Sequence, residues 1–492
     1  MISSVVVLGG GSAGLLTALT LKRKLPQLSV RVIQSGESGA MGPGEGTTAA
    51  FPQHLFEFLK LKPRSFYEGA EPTWKLGMHF LWGARNSFNY SLAFECQQRM
   101  PQLSSANGYY YHDEYPWLGL SSAFMAQGKA FPRQQNGMPQ FHNHHGYHIE
   151  STKLAGWLES RCREDGVDFL DATVRAEPDG EGIAALITET GERITADLYV
   201  DASGCRSELL GAVLGEPYHS YRDALFCDRA VIGGWPRTTE PIMPYTTAET
   251  MDAGWCWQIE HEHFIDRGYV YASDFISDEV ALEEFMRKNP KVTTTPRVVK
   301  FRSGRYERCW VGNVVAVGNA SGFVEPLEAT ALMVVCSECG ALADSLMDSL
   351  QEPTPTLITL YNQYSAGRWD DIRNFLALHY KFNTLLDTPY WQACRADTAL
   401  HGGQDVVDWY RDNGPSVLAS QVLVNSANPF KLDGYLTVLV GMNVPYENPF
   451  VPPPAEAKFW RLYCLNLAEQ ARQGMGVREA LEAIRAPDAK WA

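Results

Sequence analysis

The chain has 492 residues, of which 45% are hydrophobic and 20% are charged, and its formal net charge is −15. This composition is typical of a globular protein with a large core, and the acidic balance argues against a nucleic-acid partner, because phosphate binding needs a concentrated positive surface. No apolar run reaches the roughly 20 residues that span a bilayer, the N-terminus lacks a cleavage site, and most of the cysteines are isolated, as in a reducing compartment, so we expect a cytoplasmic protein without a membrane partner.

The first segment of the chain predicts a βαβ unit. Ser4 to Leu8 is a short apolar run that ends in the string GGGSAG, residues 9–14. Apolar residues then recur at helical spacing up to Pro26, and a second β-rich run follows from Ser29 to Ile33. A glycine-rich string between a strand and a helix, with another strand close behind, is the arrangement that binds a dinucleotide.

Each glycine of this string has a separate task in such a site. Gly9 allows a tight turn, Gly11 lets the backbone approach a pyrophosphate, and Gly14 permits close packing of the helix, whose N-terminus faces the negative charge. An acid normally ends the second strand and accepts from a ribose hydroxyl; here the residue is Gln34, whose amide oxygen can still accept. Only one such string occurs. If it binds FAD, no second fold is left for NAD(P)H, and reduced flavin must come from elsewhere.

The later part of the chain predicts one helix, then strands, then a helical region. In order, the segments are a helix at 151–164, strands at 183–194, 198–201 and 314–317, a helical pattern from about 353, and a loop at 452–454 before a last helix. Two strings that follow predicted strands are DASGCR, residues 201–206, and GNASG, residues 318–322. Each places small residues at a strand end, which favours flavin over nicotinamide, because the backbone must approach a long flavin there.

Cysteines and histidines offer a metal site as an alternative use of the chain. Cys336 and Cys339 are closely spaced, but no second pair exists and the stretch is apolar and helix-like, which favours two buried helical cysteines. A short histidine-rich segment lacks an HExxH pattern and cysteine partners, so we expect loop and strand-edge residues and no metal. Its members are His142, His144, His145 and His148.

The order of six strings resembles the flavin-dependent, tryptophan-type halogenase family over nearly the whole chain. The strings are GGGSAG (9–14), GPGEGTT (42–48), TWKLGMHF (73–80), DASGCR (201–206), GWCWQI (254–259) and GFVEPLEAT (322–330). The resemblance implies an α/β fold: a FAD-binding Rossmann-like box of the flavin monooxygenase superfamily with a smaller, largely helical substrate pyramid. It implies a FAD-binding domain with inserted β-sheet substrate elements at residues 1–350. A helical C-terminal subdomain at residues 351–492 would complete the substrate site.

The resemblance also implies a reaction. Reduced FAD from a separate flavin reductase reacts with oxygen, chloride or bromide is oxidised to hypohalous acid, and this oxidant travels through a tunnel to an electron-rich aromatic ring such as an indole. Lys75 matches the family's essential lysine, and Glu328 matches its glutamate beside the substrate. A homodimer is left open.

Further site residues follow from the same resemblance. Thr330 and Ala331 are expected to bind halide through their main-chain amides, and Trp255 and Trp257 are expected to separate flavin from substrate. The expected cofactor-binding residues are Gly9, Gly10, Gly11, Ala13, Gly14, Gln34, Ser35, Glu45, Gly46, Val174 and Gly318.

The chemistry itself calls for a lysine and a carboxylate. Hypohalous acid must be held next to one ring carbon, and Lys75 can do this as an ammonium that donates to the acid or as a neutral amine that captures the halogen. Glu328 can orient the oxidant and accept the ring proton as aromaticity returns. Taken alone, Lys75 could be a surface lysine and Glu328 could cap a helix; the strings around them favour catalytic roles.

Some positions depart from the family's pattern. Glu260 stands where a proline usually follows WxWxI, and Ala329 and Ala331 replace the serine and glycine that usually follow Glu328. Alanine keeps the N–H that binds halide, but the backbone freedom of glycine is lost at residue 331, which leaves halide preference open. The stretch 422–435 lacks the paired tyrosines and the Phe-Trp string that grip free tryptophan. We therefore expect an indole without the amino-acid handle, or a larger molecule.

Two other functions compete with halogenation. A FAD-dependent aromatic hydroxylase is disfavoured by Lys75 and by the tryptophan pair, although that pair could also be ordinary core. A flavoprotein that binds FAD only as a scaffold or sensor would have no use for both Lys75 and Glu328. The segments 88–94 and 380–391 are aromatic enough to line a substrate pocket, but core packing explains them equally well.

Overall fold

The computed structural model describes residues 1–35, 44–95, 100, 102–103, 114, 116–141, 144–421, 423–424, 427–487 and 489. Parts of three expectations lie outside the described residues. They concern Gly42 and Pro43 of the second string, His142, and the residues Val422, Asn425 and Ser426 of the stretch 422–435.

Strands and helices occur throughout the described residues. The strands are β1 (Ser4–Leu8), β2 (Ser29–Gln34), β3 (Glu45–Gly46), β4 (Thr73–Lys75), β5 (Gly77–Leu81), β6 (Phe88–Ser91), β7 (Gly146–Ile149), β8 (Asp168–Asp171), β9 (Val174–Asp179), β10 (Gly182–Thr188), β11 (Arg193–Ile194), β12 (Leu198–Asp201), β13 (Tyr218–Ser220), β14 (Arg229–Pro236), β15 (Tyr245–Met251), β16 (Gly254–Glu260), β17 (Phe264–Tyr271), β18 (Arg297–Lys300), β19 (Gly304–Tyr306), β20 (Trp310–Val311), β21 (Val314–Ala316) and β22 (Gly322–Phe323). The helices are α1 (Ser12–Lys24), α2 (Ala50–Pro52), α3 (Pro63–Gly69), α4 (Leu120–Ala126), α5 (Ser151–Glu164), α6 (Asp278–Lys288), α7 (Ala331–Asp348), α8 (Pro355–Lys381), α9 (Pro389–Asp397), α10 (Gln404–Asn413), α11 (Lys431–Gly441), α12 (Pro454–Arg472) and α13 (Val477–Arg485).

The chain folds into two compact units, each built from three separate segments. The first unit comprises residues 1–71, 149–221 and 301–370, and the second comprises residues 72–148, 222–300 and 371–492. The domain boundary at residue 350 that the sequence suggests stays a prediction.

The main sheet of the first unit is built around β1. Among the described residues its strand order is β20-β21-β12-β1-β2-β8, and β1 pairs in parallel with both β2 and β12. Val5, Val6 and Val7 are all buried, as expected for a central parallel strand that is covered on both faces. Helix α1 packs against α5 and α7. The predicted βαβ unit and the helix at 151–164 are thereby confirmed.

The second unit contains a larger, mostly antiparallel sheet. Its strand order among the described residues is β18-β14-β17-β16-β15-β5-β6, with β5 and β15 as its parallel pair. Strand β4 lies outside this sheet and pairs antiparallel with β7. Because side chains alternate between the two faces of each strand, Trp255 and Trp257 share one face of β16, and Gln258 and Glu260 share the other.

Aromatic packing joins this sheet to the helices of the same unit. The rings of Phe80 and Phe88 stack with centroids 5.0 Å apart, and those of Trp82 and Trp391 meet edge to face at 5.3 Å. Tyr380 stacks on Trp391, and all five side chains are buried. The aromatic residues of the segments 88–94 and 380–391 are therefore mostly core, and the core explanation of these segments is favoured.

The end of the chain differs from its prediction. The sequence predicts one helix after the prolines at 452–454, whereas the structure has two, α12 and α13. Gly474 and Gly476 lie between them, and the N–H of Met475 donates to the carbonyl of Phe131 at 2.8 Å. This strand-like contact ends the helical hydrogen bonding. No helix among the described residues is both long and apolar enough to cross a membrane.

Candidate active site

The glycine turn of the first unit is tightly packed at Gly9 and Gly14 and open at Gly11. Gly9 has a φ of +127°, and a β-carbon there would lie 2.3 Å from the carbonyl oxygen of Ala202. A β-carbon at Gly14 would lie 1.9 Å from the carbonyl oxygen of Gly9. At Gly11 no described atom beyond its chain neighbours and its own helix would lie within 4 Å of an added β-carbon. The turn therefore leaves room for a ligand where the first amides of α1 begin.

Gln34 lies beside this turn. A β-carbon at Gly10 would lie 2.2 Å from Oε1 of Gln34, so the amide of Gln34 packs directly on the turn. The N–H of Ala172 donates to the carbonyl of Gln34 at 2.9 Å, which brings the start of β9 at Val174 close to the end of β2. Ser35 follows Gln34 and is half-buried. The structure thus groups four of the expected cofactor residues at this strand end.

Gly318 reaches the same region from the far end of the sheet. Its φ is +59°, and a β-carbon there would lie 3.2 Å from that of Ala13 and 2.9 Å from Cγ2 of Val335. The turn that follows β21 therefore packs between α1 and α7, and only glycine fits without displacing one of them.

Asp201 has a structural role that the sequence does not reveal. Its carboxylate accepts from the N–H and hydroxyl of Ser203, and from the N–H groups of Leu209 and Leu210 at 2.8 and 3.0 Å. The string DASGCR therefore closes the end of β12 on the segment that follows. The carboxylate of Asp201 thereby fixes Ser203, one of the small residues that follow β12.

Glu45 and Gly46 form β3 and are both half-buried. The hydroxyl of Ser151 lies 3.4 Å from Oε1 of Glu45. Burial raises the pKa of Glu45 to about 7, and the Ser151 hydroxyl lowers it in part. The carboxyl group of Glu45 can therefore change its charge near neutral pH.

The segment around Glu328 forms a tight turn before α7. Glu328 is 2% exposed, and the N–H of Ala329 donates to the carbonyl of Pro326 at 3.0 Å. Ala329 has a φ of +55°, in the left-handed region, whereas Ala331 is the first residue of α7 and follows Thr330 at the helix N-cap. Because residue 331 is helical, its backbone does not need the freedom of glycine, and the effect of this alanine on halide preference stays a prediction. The strain lies at Ala329, where an alanine side chain costs about 1–2 kcal/mol.

Lys75 lies in the second unit and is fully buried, with 0% of its surface exposed. It ends β4, where Gly146 lies opposite Lys75 and His148 lies opposite Thr73. Lys75 and His148 are therefore diagonal neighbours on one face. Burial, together with the positive charge of Lys75, holds the pKa of His148 well below its usual range. A surface position for Lys75, one of the sequence alternatives, is wrong.

A buried ion pair supports the strand that carries Lys75, and the sequence does not predict it. Arg237 and Glu260 form a salt bridge in which their side chains are 1% and 2% exposed. Gln258 donates to the second carboxylate oxygen of Glu260 at 2.6 Å, and the hydroxyl of Thr73 donates to the carbonyl of Glu260. The only sequence signal is that Glu260 replaces the usual proline.

Trp255 and Trp257 lie side by side on one face of β16. They are 0% and 5% exposed, and their ring centroids are 6.0 Å apart. A β-carbon at Gly268 would lie 1.9 Å from the Trp257 ring, so Gly268 on the neighbouring strand makes room for that ring. Neither indole N–H has a hydrogen-bond partner among the described residues.

The stretch 422–435 contributes core aromatics where it is described. Phe430 stacks on Phe375 with centroids 3.9 Å apart, Tyr435 packs on the same ring, and both are buried. Lys431 points elsewhere, with its Nζ 4.8 Å from the centroid of the half-buried Phe94.

The alternative metal candidates are ordinary structural residues where they are described. Cys336 and Cys339 are both buried on α7, which confirms the prediction of two buried helical cysteines. His144 is exposed, whereas His145 contacts the hydroxyl of Tyr147 at 3.2 Å. In the part of the chain that the structure describes, no cluster of three or more histidine, cysteine or acidic side chains could hold a metal ion.

A parallel sheet, an open glycine turn at the N-terminus of α1 and two further backbone turns packed on that helix define a dinucleotide-binding α/β protein of the Rossmann type. Residues 4–451 match the model of the tryptophan halogenase family. The chain belongs to this family and is a flavin-dependent halogenase.

Named relatives agree with this assignment. Tryptophan 6-halogenase SttH of Streptomyces toxytricini is 32% identical over 79% of this chain and 80% of its own. Tryptophan 7-halogenase RebH of Lentzea aerocolonigenes is 26% identical over 91% of each chain. The crystal structure of MibH, a lanthipeptide tryptophan 5-halogenase, superposes with a TM-score of 0.88 at 34% identity and covers 100% of this chain and 97% of its own. Halogenation is favoured over the hydroxylase alternative.

Proposed function

We propose that Lys75 and Glu328 are the catalytic residues of this halogenase. The full burial of Lys75 is the observation that supports this proposal most directly. Lysine is almost never fully buried in a protein unless a specific partner or task holds it there. A buried amine is shielded from water. A small polar oxidant that reaches it can therefore hydrogen-bond to the amine without competition from solvent.

The two side chains would divide the chemistry between them. The amine of Lys75 holds the halogen electrophile, by donating to hypohalous acid or by bonding the halogen. The carboxylate of Glu328 accepts the proton that leaves the ring after the carbon–halogen bond has formed. Neutral His148 beside Lys75 adds no second positive charge to this position.

FAD is the cofactor we propose for the glycine turn. When reduced and supplied with oxygen, it provides the oxidising equivalents that halide oxidation needs. Gly11 and the first amides of α1 would receive the pyrophosphate, and Gln34 would accept from a ribose hydroxyl. A separate flavin reductase would supply FADH2. The other residues proposed to contact the cofactor are Gly9, Gly10, Ala13, Gly14, Ser35, Glu45, Gly46, Val174 and Gly318.

Chloride or bromide would bind at the start of α7. The first amides of a helix have no acceptor within the helix and carry its positive dipole end, so they suit an anion. Thr330 and Ala331 are the residues that we assign to this site. Trp255 and Trp257 are assigned to the partition between flavin and substrate.

The substrate that we propose is an indole ring without the free amino-acid group of tryptophan, either as a simple indole or within a larger molecule. SttH and RebH are named for tryptophan, whereas MibH is named for tryptophan in a lanthipeptide. The described aromatic residues of the stretch 422–435 are committed to the core, as the stacking of Phe430 on Phe375 shows. They are therefore not available to grip an amino-acid group.

The test is a reaction with purified protein, FAD, a flavin reductase, NADH, oxygen and bromide. Indole, free tryptophan and a tryptophan-containing peptide are supplied in parallel, and products are identified by mass. A bromine added to the peptide or to indole, with little added to free tryptophan, is expected. A gain of one oxygen, or preference for free tryptophan, contradicts the proposal. A second reaction with equal chloride and bromide gives the halide preference.

Substituted proteins then test the assigned residues. Lys75→Ala is expected to abolish halogenation while FAD binding is unchanged. Lys291→Ala is the matched control, because Lys291 is 60% exposed and pairs with Glu240. A Lys75→Ala protein that halogenates at the wild-type rate overturns the catalytic assignment.

A further inference from the structure

Glu338 is a fully buried carboxylate on α7 that the halogenation chemistry does not use. One of its oxygens, Oε2, accepts from the N–H of Gly318 at 2.7 Å. The other, Oε1, accepts from the hydroxyls of Ser321 at 2.7 Å and Ser365 at 2.6 Å. A buried carboxylate with three donors is specifically solvated, which is how proteins keep such a group.

These three donors come from two places in the first unit. Gly318 and Ser321 bound the turn 318–321, which packs on α1 beside Ala13. Ser365 lies on α8, where Trp369 also donates its indole N–H to the Ser321 hydroxyl at 3.1 Å. Glu338 therefore links this turn to α7 and α8 through one side chain.

Helix α7 begins at the proposed halide site. Thr330 precedes Glu338 by eight residues, which corresponds to about 12 Å along the helix at 1.5 Å per residue. The start of α7 thus supplies the amides proposed to bind halide. About two helical turns later, the same helix supplies Glu338, which binds the turn 318–321 beside the proposed flavin site.

We propose that Glu338 is a positioning residue that joins the flavin-side turn 318–321 to α7, the helix whose first amides receive the halide. Its negative charge acts electrostatically on both the flavin site and the halide site. The proposal rests on the proposed function, because that function assigns flavin to Gly318 and halide to Thr330 and Ala331. It adds a residue that touches neither ligand but fixes the distance between their sites.

The hydroxyl of Ser321 allows two hydrogen-bonded arrangements between Glu338 and the turn 318–321. Its oxygen lies 2.7 Å from Oε1 of Glu338 and 2.9 Å from the carbonyl of Gly318, but it has one proton to donate. An ionised Glu338 takes that proton, whereas a protonated Glu338 leaves it for Gly318. Burial raises the pKa of Glu338 to about 7, so both arrangements are populated near neutral pH.

Neighbouring titratable groups do not supply a competing charge. In the described part of the chain, those that act on Glu338 are Cys309 before β20, Cys339 on α7 and Tyr361 on α8. Burial raises the pKa of all three, that of Cys339 to about 12. All are neutral at pH 7, so Glu338 is the group that changes charge.

Binding of oxidised FAD, followed by flavin fluorescence, tests the positioning role without any turnover. Glu338→Leu leaves the Gly318 N–H without its acceptor, and we expect the Kd for FAD to rise about tenfold, equivalent to 1.4 kcal/mol. Glu338→Gln keeps an acceptor for Gly318 and is expected to restore the wild-type Kd. Ser365→Ala is the matched control, because it removes one donor to the carboxylate but leaves the Gly318 contact.

Two results overturn the positioning role. One is a Glu338→Leu protein that binds FAD as tightly as wild type. The other is a loss of FAD affinity that is proportional to the loss of melting temperature, with the same proportion in Glu338→Leu and in Ser365→Ala. A wild-type protein that binds FAD but halogenates nothing contradicts the proposed function and leaves this binding test intact.

The pH profile of the halide KM tests the charge, and it uses only Glu338→Gln if the leucine protein does not fold. Glu338 lies about 12 Å along α7 from Thr330. An ionised carboxylate there is expected to repel a halide bound at the first amides, so the wild-type KM is expected to rise roughly fivefold from pH 6 to pH 8. Glu338→Gln has no such charge and is expected to lack this rise. Equal pH profiles for the two proteins overturn the charge effect.

Discussion

Arg237 and Glu260 form an ion pair that is almost completely removed from solvent. Glu260 ends β16, three residues after Trp257, and its carbonyl accepts from Thr73 on the strand of Lys75. The carbonyl of Glu260 therefore joins the strand of the proposed catalytic lysine to the sheet that carries the tryptophan pair, and the ion pair fixes the side chain of the same residue. A proline at this position, as is usual in the family, could not form this ion pair.

Glu260→Ala is expected to destabilise the protein by about 3–5 kcal/mol, because it leaves the guanidinium of Arg237 buried without its counter-charge. Urea denaturation measures the loss. The double substitution Glu260→Leu with Arg237→Met removes both charges and is expected to recover most of it. A single substitution that costs less than about 0.5 kcal/mol, within the range of surface changes, contradicts the prediction.

Gly11→Ala is expected to weaken FAD binding about tenfold, or 1.4 kcal/mol, without a loss of stability. The added methyl group meets open space in the free protein but occupies the place where the pyrophosphate would approach. Gly156→Ala on the exposed face of α5 is the matched control, because it also enters open space and lies away from the turn. Flavin titration and thermal denaturation of both proteins separate the two effects.

Gly14→Ala is expected to behave in the opposite way. Its β-carbon would meet the backbone of Gly9, so a cost of about 1–3 kcal/mol in folding stability is expected before any ligand is added. If Gly11→Ala destabilises the protein as much as Gly14→Ala, the turn is packed at both positions and has no room for a phosphate.

Ala329→Gly is expected to stabilise the protein by about 0.5–1 kcal/mol, because glycine adopts the left-handed backbone of Ala329 without strain. Ala331→Gly is its control. Residue 331 is helical, so glycine there is expected to cost about 0.5 kcal/mol. Chemical denaturation of the two proteins checks the signs, and a stabilising Ala331→Gly would mean that the strain lies at residue 331 instead.

The parts of the fold that sequence predicts well are those with local patterns. The strand, glycine turn, helix and strand at residues 4–34 are encoded by periodicity within a short window, and each boundary lies within a few residues of its prediction. The glycine roles also follow from local geometry, since Gly9 needs a positive φ and Gly14 contacts Gly9.

Long-range polar contacts leave no such pattern. Glu338 meets Gly318 and Ser365 across 20 and 27 residues, and its only sequence signal is one acid in the apolar stretch of α7. The position of backbone strain is equally hidden, because Ala329 and Ala331 are the same residue type and only the turn after Pro326 decides which one is left-handed. A resemblance to a family gives the residue to inspect in these cases but not its conformation.

The contribution of Glu338 to folding stability is expected to fall as pH rises from about 4.5 to about 7, because burial raises the pKa of Glu338 to about 7 from its ordinary value of 4.5. A raised pKa means that the folded state binds the proton more tightly than the unfolded state does. The stabilisation is therefore complete below the unfolded pKa and is lost as pH rises through the folded one. The shift corresponds to roughly 3 kcal/mol for this buried group.

Glu338→Gln isolates this contribution. Urea denaturation at pH 5, 6, 7 and 8 is expected to show a wild-type stability that falls relative to that of the variant and then levels above pH 7. Glu45→Gln is the comparison, because burial raises the pKa of Glu45 to about 7 as well, so a similar fall with pH is expected from that side chain. A stability difference between wild type and Glu338→Gln that stays constant across these pH values contradicts the prediction, since Glu338 would then carry the same charge in the folded and unfolded states throughout.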